Sequence, residues 1–172
     1  MKKIIVIGSP GAGKSVFSKK LKYITNISLY HIDMLYHKKD GTHITKEELE
    51  EKLKQIFKTD EWIIDGNYQK TLELRIKECD TIFLLDFPTQ VCLDGAKSRI
   101  GKKRDDLPWI NIKKIIVYLY LNLEMKQISV YMILIKNMKI YNLKVISEFF
   151  RIAVCCIIMK NDKKKNVYKI YF

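Results

Sequence analysis

Residues 8 to 15 read GSPGAGKS, and they follow a short run of β-branched apolar residues at positions 4–7. Gly8, Gly11 and Gly13 allow the backbone to turn tightly with its N–H groups directed inward, and together with the positive end of the following helix these groups form a cradle for phosphate oxygens. The pattern G-x-x-x-x-G-K-[ST] between a strand and a helix is typical of P-loops, which bind phosphate groups. The sequence therefore predicts an α/β chain with a nucleoside triphosphate site.

The predicted phosphate-binding residues are Gly8, Ser9, Pro10, Gly11, Ala12, Gly13, Lys14, Ser15 and Val16. We expect Lys14 to reach the β- and γ-phosphates of ATP and to act in catalysis. The hydroxyl of Ser15 is expected to bind Mg²⁺. ATP and Mg²⁺ are thus the predicted cofactors.

Length and composition argue against several other classes of protein, namely secreted, membrane-spanning and zinc-binding ones. The 172 residues suit a single domain, residues 1–172. No signal peptide is recognisable, and no apolar run approaches the 18 residues or so that a membrane span needs. The four cysteines lack the spacing of a zinc site or of a secreted disulfide framework. These features predict a cytoplasmic protein without a membrane partner.

A carboxylate is expected at the end of the second strand. Residues 27–33, ISLYHID, predict a strand that ends on Asp33. Because the carboxyl ends of parallel strands line the ligand crevice, Asp33 is predicted to hold an acceptor hydroxyl or to take its proton. His31 would share a strand face with Asp33, and a structural role is the simpler interpretation for it.

A second carboxylate follows the buried strand at residues 62–64. Asp65 stands where this apolar run meets a glycine, a position from which a carboxylate can help to hold Mg²⁺. Asp86, which ends the run TIFLLD, competes for the same role. We favour Asp65 because the Asp-Gly pair allows a ligand to approach closely.

Three helices are predicted in this part of the chain. Thr45 and Glu48 form a capping box that begins the second of them. The third covers residues 71–79, with Arg75 expected on its exposed face. The predicted buried residues, helix by helix, are Val16, Phe17, Leu21 and Ile24; Leu49, Leu53, Ile56 and Phe57; Leu72 and Ile76.

Over about the first 110 residues the chain resembles the adenylate-kinase-related P-loop proteins, most closely the bacterial topology modulation proteins. The resemblance depends on YHID at 30–33, WIIDGNY at 62–68 and the apolar run that ends in DFP at 86–88. It implies a nucleoside- or shikimate-kinase-like fold in which Asp65 helps to organise Mg²⁺. Nucleoside monophosphate kinases follow the Asp-Gly with Phe-Pro-Arg, whose arginine grips the acceptor phosphate. This chain has Asn67 and Tyr68 instead, which argues against a monophosphate acceptor.

The basic stretch at 97–106, KSRIGKKRDD, resembles the lid of the same superfamily. In such lids arginines close over the phosphates and offset the charge that develops during phosphoryl transfer. Arg99 and Arg104 are the candidate catalytic arginines, with Lys102 and Lys103 in support. A plain basic loop is the competing interpretation.

The tail at 111–172 is atypical. It holds 12 Lys/Arg and three Asp/Glu, and helical or strand periods fit it poorly. One hypothesis is a shifted reading frame in AT-rich DNA, which would remove or replace the last strand of the resembled fold. The other is a native basic tail that binds nucleic acid or another partner.

The sequence thus predicts a three-layer α/β P-loop fold with a parallel sheet. The function that fits it best is Mg²⁺-ATP-dependent phosphoryl transfer to a small hydroxyl- or phosphate-bearing acceptor. A nucleic-acid-associated ATPase or regulator of DNA topology is the alternative, and a protein that only binds nucleotide is a third interpretation.

Overall fold

A computed structural model of the chain describes residues 1–99, 102, 155–161 and 165–171, the last two segments by their backbone. Alternating strands and helices fill the first 99 residues. The elements in order are β1 (Lys3–Gly8), α1 (Lys14–Thr25), β2 (Leu29–His31), α2 (Ile32–Tyr36), α3 (Lys46–Phe57), β3 (Trp62–Asp65), a 3-10 turn (Gln69–Thr71), α4 (Leu72–Glu78), β4 (Thr81–Leu85), α5 (Thr89–Lys97), β5 (Cys155–Asn161) and β6 (Lys165–Tyr171).

The described strands form one sheet in the order β2-β3-β1-β4-β6-β5. The first five strands of this order run parallel to one another, as predicted, and β5 adds an antiparallel edge. Both β5 and β6 come from the tail, although its periodicity fits strands poorly. Because parallel strands end at the same edge of a sheet, the segments that follow β1, β2 and β3 converge there.

Each face of the sheet is covered by helices, which confirms the three-layer α/β fold. On one face the side chains of Ile4 and Val6 pack with Phe17 and Leu21 of α1. On the other, Ile5 and Ile7 pack with residues of α2, α3 and α4. A parallel strand buried on both faces needs an uninterrupted apolar run, and the sequence of β1 provides one.

Helix α3 forms as predicted. The side chain of Thr45 accepts a hydrogen bond from the backbone N–H of Glu48, and the Glu48 carboxylate accepts one from the backbone of Thr45. The predicted apolar residues of this helix pack into the core, with Leu49, Leu53 and Ile56 buried.

Three of the sequence predictions are wrong in this region. Val16 and Ile24 are 58% and 78% exposed, because α1 uses only a narrow stripe, Phe17 and Leu21, against the sheet. The strand β2 ends at His31, and the chain then turns into α2, so that Asp33 lies in the first turn of a short helix. The guanidinium of Arg75 is buried, with 0% of the residue exposed.

Among the described residues no helix has the length and apolar character that crossing a bilayer requires.

Candidate functional site

The P-loop joins β1 to α1 in a backbone conformation that its glycines permit. Gly8, Gly11 and Gly13 have φ angles of 150°, 89° and 81°, and Gly13 precedes the first residue of α1. A side chain on Gly11 would overlap the backbone carbonyl of Cys92, because α5 packs directly against the loop. The predicted turn into the first helix is thus confirmed, and the backbone of α5 packs against the loop at Gly11.

The ammonium group of Lys14 lies within this loop. Its Nζ donates hydrogen bonds to the carbonyl oxygens of Gly8 and Ser9, at 2.9 and 3.0 Å. Burial lowers the pKa of Lys14 to about 8, an effect that the nearby carboxylates of Asp33 and Asp65 oppose. The cation therefore lies close to both carboxylates that the sequence singled out.

Asp65 is buried at the end of β3, with 4% of the residue exposed. Its Oδ1 lies 2.8 Å from Nδ1 of His31, and within the described part of the chain its buried Oδ2 has no hydrogen-bond partner. The parallel pairing of β2 with β3 places His31 directly opposite Asp65. His31 therefore fixes one oxygen of this carboxylate and leaves the other available to a ligand.

The oxygens of Ser15 and Asp65 fit a Mg²⁺ ion by chemical type. Mg²⁺ takes oxygen ligands and keeps several waters, so one or two protein oxygens together with phosphate oxygens suffice. The unpartnered Oδ2 of Asp65 is a buried polar atom that such an ion would satisfy. In the residues that the structure describes, no group of three or more His, Cys, Asp or Glu side chains forms an all-protein metal site.

Asp33 is half-buried in the first turn of α2. Burial lowers the pKa of both Lys14 and Arg75, and the negative charge of Asp33 opposes this lowering, which places Asp33 within electrostatic reach of the two cations. The predicted strand position is wrong, because Asp33 follows β2 by two residues and is carried by a helical turn. The same turn brings it to the P-loop side of the molecule. Its role as an acceptor ligand stays a prediction.

Arg75 bonds to the backbone on both sides of Asn67. Its Nη1 donates to the carbonyl of Gly66 at 2.8 Å and its Nη2 to the carbonyl of Tyr68 at 2.9 Å. Burial lowers the pKa of Arg75 to about 10, which leaves it cationic at neutral pH. The expectation of an exposed residue is wrong because the segment between β3 and α4 folds over this face of the helix and its carbonyls require a buried donor.

Asn67 is a site residue for which the sequence predicted no role. Its Oδ1 accepts from the backbone N–H of Gly8 at 3.1 Å, and its Nδ2 donates to the carbonyl of Gly8 at 2.5 Å. A side-chain amide can pair in this way with the N–H and the C=O of one residue, but residues 8 and 67 are far apart in sequence. Only the parallel pairing of β1 with β3 brings them together.

Aromatic rings surround the segment that follows Asp33. Tyr36 stacks on His43 with ring centroids 5.0 Å apart, and lies 4.5 Å from the ring of Tyr68. Burial, and then a hydrogen bond with Tyr36, raise the pKa of Tyr68 to about 12. The backbone of His37 pairs with that of His43 in a short antiparallel bridge. This cluster anchors the 37–43 loop to the segment after β3.

The described part of the predicted lid begins at the end of α5. Arg99 is half-buried, and its charge lowers the pKa of Lys14, so the two cations are near each other. Lys102 is exposed. Arg104 and Lys103 lie outside the described residues, and the lid role stays a prediction.

Comparison with curated proteins identifies adenylate kinases as relatives of part of the chain. It is 32% identical over 99 residues to adenylate kinase of Thermotoga maritima, a match that covers 54% of this chain and 44% of the relative. It is also 32% identical over 85 residues to adenylate kinase of Thermotoga petrophila, covering 48% of this chain and 38% of the relative. The aligned segments span less than half the length of either relative.

Comparison with solved structures concerns the fold alone. Shikimate kinase from Bacteroides thetaiotaomicron superposes with a TM-score of 0.52 at 16% sequence identity, covering 74% of this chain and 81% of the other. No protein-family model matches the chain. Part of the chain is thus similar in sequence to adenylate kinases, and its described residues share a kinase-like P-loop fold with the superposed shikimate kinase.

Proposed function

We propose that the chain is a Mg²⁺-ATP-dependent phosphotransferase that acts on a small acceptor. The observation that carries the proposal is the placement of Lys14, on a complete P-loop, beside the carboxylates of Asp33 and Asp65. One cation and two carboxylates at the end of a parallel sheet supply the parts that in-line phosphoryl transfer requires.

In this proposal each residue has a separate role. The P-loop amides and Lys14 bind the triphosphate, while Ser15 and Oδ2 of Asp65 hold Mg²⁺. The metal, when bound, neutralises charge on the β- and γ-phosphate oxygens. Asp33 binds the acceptor and orients its hydroxyl. Arg99, joined by Arg104, closes over the phosphates and stabilises the charge of the transition state.

The Nη donors of Arg75 are already used within the protein, and this favours an acceptor that bears a hydroxyl group and no phosphate. Its two Nη groups are bound to the carbonyls of Gly66 and Tyr68, and it is fully buried, so it offers no clamp for an acceptor phosphate. The half-buried Asp33, by contrast, is an acceptor of hydrogen bonds from a hydroxyl. We therefore place nucleosides and small polyols or hydroxy acids ahead of nucleoside monophosphates.

The experiment is a measurement of ADP release from Mg²⁺-ATP across nucleosides, nucleoside monophosphates, small hydroxy acids and duplex DNA. Three proteins are compared, the wild type, Lys14→Met and the matched surface control Lys20→Ala. We expect release to depend on one hydroxyl-bearing compound, to be lost in Lys14→Met and to persist in Lys20→Ala.

Stimulation by DNA that weakens as salt rises would instead support the nucleic-acid-associated ATPase. No release with any compound, together with binding of Mg²⁺-ATP, would support a protein that only binds nucleotide. Either result would refute the phosphotransferase.

A further inference from the structure

His31 and Asp65 lie side by side on one face of the sheet. They occupy paired positions of β2 and β3, and paired residues of adjacent strands direct their side chains to the same face. Val6, the partner of Asp65 on β1, belongs to the apolar cluster that α1 completes on this face. Both side chains are therefore on the side of the sheet that α1 covers, at the carboxyl ends of their strands.

The electrostatics of the P-loop agree with this placement. Helix α1 begins with Lys14 and Ser15, the side chains expected to bind phosphate and Mg²⁺. Burial lowers the pKa of Lys14, and the charges of Asp33 and then of Asp65 oppose this lowering. The carboxylate of Asp65 is thus within electrostatic reach of the first turn of α1.

The two oxygens of Asp65 differ in their partners. Oδ1 lies 2.8 Å from Nδ1 of His31, and because an ionised carboxylate only accepts hydrogen bonds, Nδ1 is the donor. Oδ2 is buried and, among the described residues, has no hydrogen-bond partner. The side chains of His31 and Asp65 are only 14% and 6% exposed, so water has little access to replace His31 as the donor. One oxygen is held by the protein, and the other is left for a ligand.

The terminal torsion of an aspartate side chain is broad, so the direction of its oxygens depends on the partners that they have. We propose that His31 is a positioning residue of the metal site, which holds the Asp65 carboxylate through Oδ1 and so keeps Oδ2 in place for Mg²⁺. The inference rests on the proposed function, because it requires Asp65 to bind Mg²⁺. His31 acts through Asp65, and its loss weakens the contribution of the metal to nucleotide binding.

The test measures how much Mg²⁺ tightens the binding of ATP. Titration calorimetry gives the dissociation constant of ATP in EDTA and in excess Mg²⁺, and the ratio of the two is the magnesium factor. The wild type and Asp65→Asn are compared with His31→Phe, which keeps a planar ring without a donor, and with His31→Asn, which keeps an N–H donor. We expect His31→Phe to lower the magnesium factor roughly 10-fold, toward that of Asp65→Asn. His31→Asn should keep most of the factor, and the dissociation constant in EDTA should stay near the wild-type value in both His31 variants.

The control for a general loosening of β2 is Tyr30→Leu, because Tyr30 packs into the core on the other face of the sheet. It should leave the magnesium factor unchanged, and a fall as large as that of His31→Phe would overturn the inference.

A factor that falls in Asp65→Asn but not in His31→Phe would overturn the inference and leave the proposed function intact. So would equal factors in His31→Phe and His31→Asn, or an equal loss of ATP affinity with and without Mg²⁺. A factor that Asp65→Asn leaves unchanged would refute the proposed metal role of Asp65 and this inference with it. If His31→Phe does not fold, His31→Leu replaces it, and a wild-type factor in His31→Leu would overturn the inference as well.

Discussion

In the described part of the chain, the buried guanidinium of Arg75 donates its hydrogen bonds to backbone carbonyls. Arg75 donates to the carbonyls of Gly66 and Tyr68 from the two arms of its planar guanidinium, whereas a lysine ammonium is a single point charge that does not present this fork. We expect Arg75→Lys to lower the free energy of unfolding by about 3 kcal/mol, since one buried carbonyl loses a charged donor.

Urea denaturation measures this change. Lys77→Met, an exposed change on the same helix, should stay within about 0.5 kcal/mol of the wild type. Equal stability of Arg75→Lys and the wild type would show that the two hydrogen bonds are replaceable.

The unpartnered Oδ2 of Asp65 leads to a prediction about metal dependence. If this oxygen holds Mg²⁺, Asp65→Asn should raise the Mg²⁺ concentration needed for half-maximal activity by about 10- to 100-fold, because an amide is a poorer ligand than a carboxylate. Asp86→Asn is the matched comparison, and its effect should be smaller. A larger effect of Asp86→Asn would transfer the metal role to that residue.

Among the elements, β1 and β4 are joined at their starts by Asp80. Its Oδ2 accepts from the backbone N–H groups of Lys2 and Lys3 at 2.8 and 3.0 Å, and its Oδ1 accepts from the hydroxyl of Thr81 at 2.5 Å. Burial by itself would raise the pKa of Asp80, but these hydrogen bonds outweigh it and lower the pKa below its usual value.

The lowered pKa fixes the sign of a pH effect. Because the folded state favours the ionised carboxylate, the stabilisation is present above the unfolded-state pKa of about 3.9 and is lost as pH falls through the lower folded-state pKa. At pH 7, Asp80→Asn should lower the free energy of unfolding by about 1 kcal/mol. The effect is this small because Asp80 is partly exposed and solvent screens its charge. Urea denaturation from pH 7 to pH 2.5 should show the difference from the wild type shrinking at the acidic end. Asp60→Asn, an exposed control, should show no such trend; a constant difference for Asp80→Asn would contradict the prediction.

Helix α5 touches the P-loop through glycine. A side chain on Gly95 would overlap the carbonyl of Gly11, so Gly95→Ala must displace the loop or the helix. In an ordinary helix interior this change would stabilise by roughly 1 kcal/mol. Here we expect a lower melting temperature and weaker binding of Mg²⁺-ATP, both measured by thermal denaturation with and without the nucleotide. Gln90→Ala, exposed on the same helix, should change neither, and a stabilised Gly95→Ala would show that the contact is loose.

For the whole molecule, the tail provides two strands of the sheet. Val167 of β6 pairs with Ile82 of β4 on one side and with Met159 of β5 on the other. Proline at position 167 would remove an N–H from an interior strand. We expect Val167→Pro to lower the free energy of unfolding by more than about 2 kcal/mol.

The control is Lys39→Pro in the exposed turn that the hydrogen bond from Gly41 to Lys38 closes, where proline is favoured. If Val167→Pro unfolds in urea with the midpoint of the wild type, residues 155–171 do not belong to the same cooperative unit as the first 99. That outcome would also refute the single domain proposed for residues 1–172, and resequencing across codon 110 would then test the shifted reading frame.

The sequence by itself determined the features that depend on neighbours along the chain. The P-loop turn, the capping box of α3 and the buried runs of β1, β3 and β4 follow from local glycine conformations, local hydrogen bonds and apolar periodicity. Each of them could be predicted from a few consecutive residues.

Only the tertiary structure decided which distant groups meet. His31 reaches Asp65 because β2 pairs with β3, and Asn67 reaches Gly8 because β3 pairs with β1. Arg75 is buried because the segment after β3 folds over it and presents two carbonyls that need a donor. No local pattern encodes these contacts, since a polar side chain looks alike in sequence whether its partner is water or a backbone group far away in the chain.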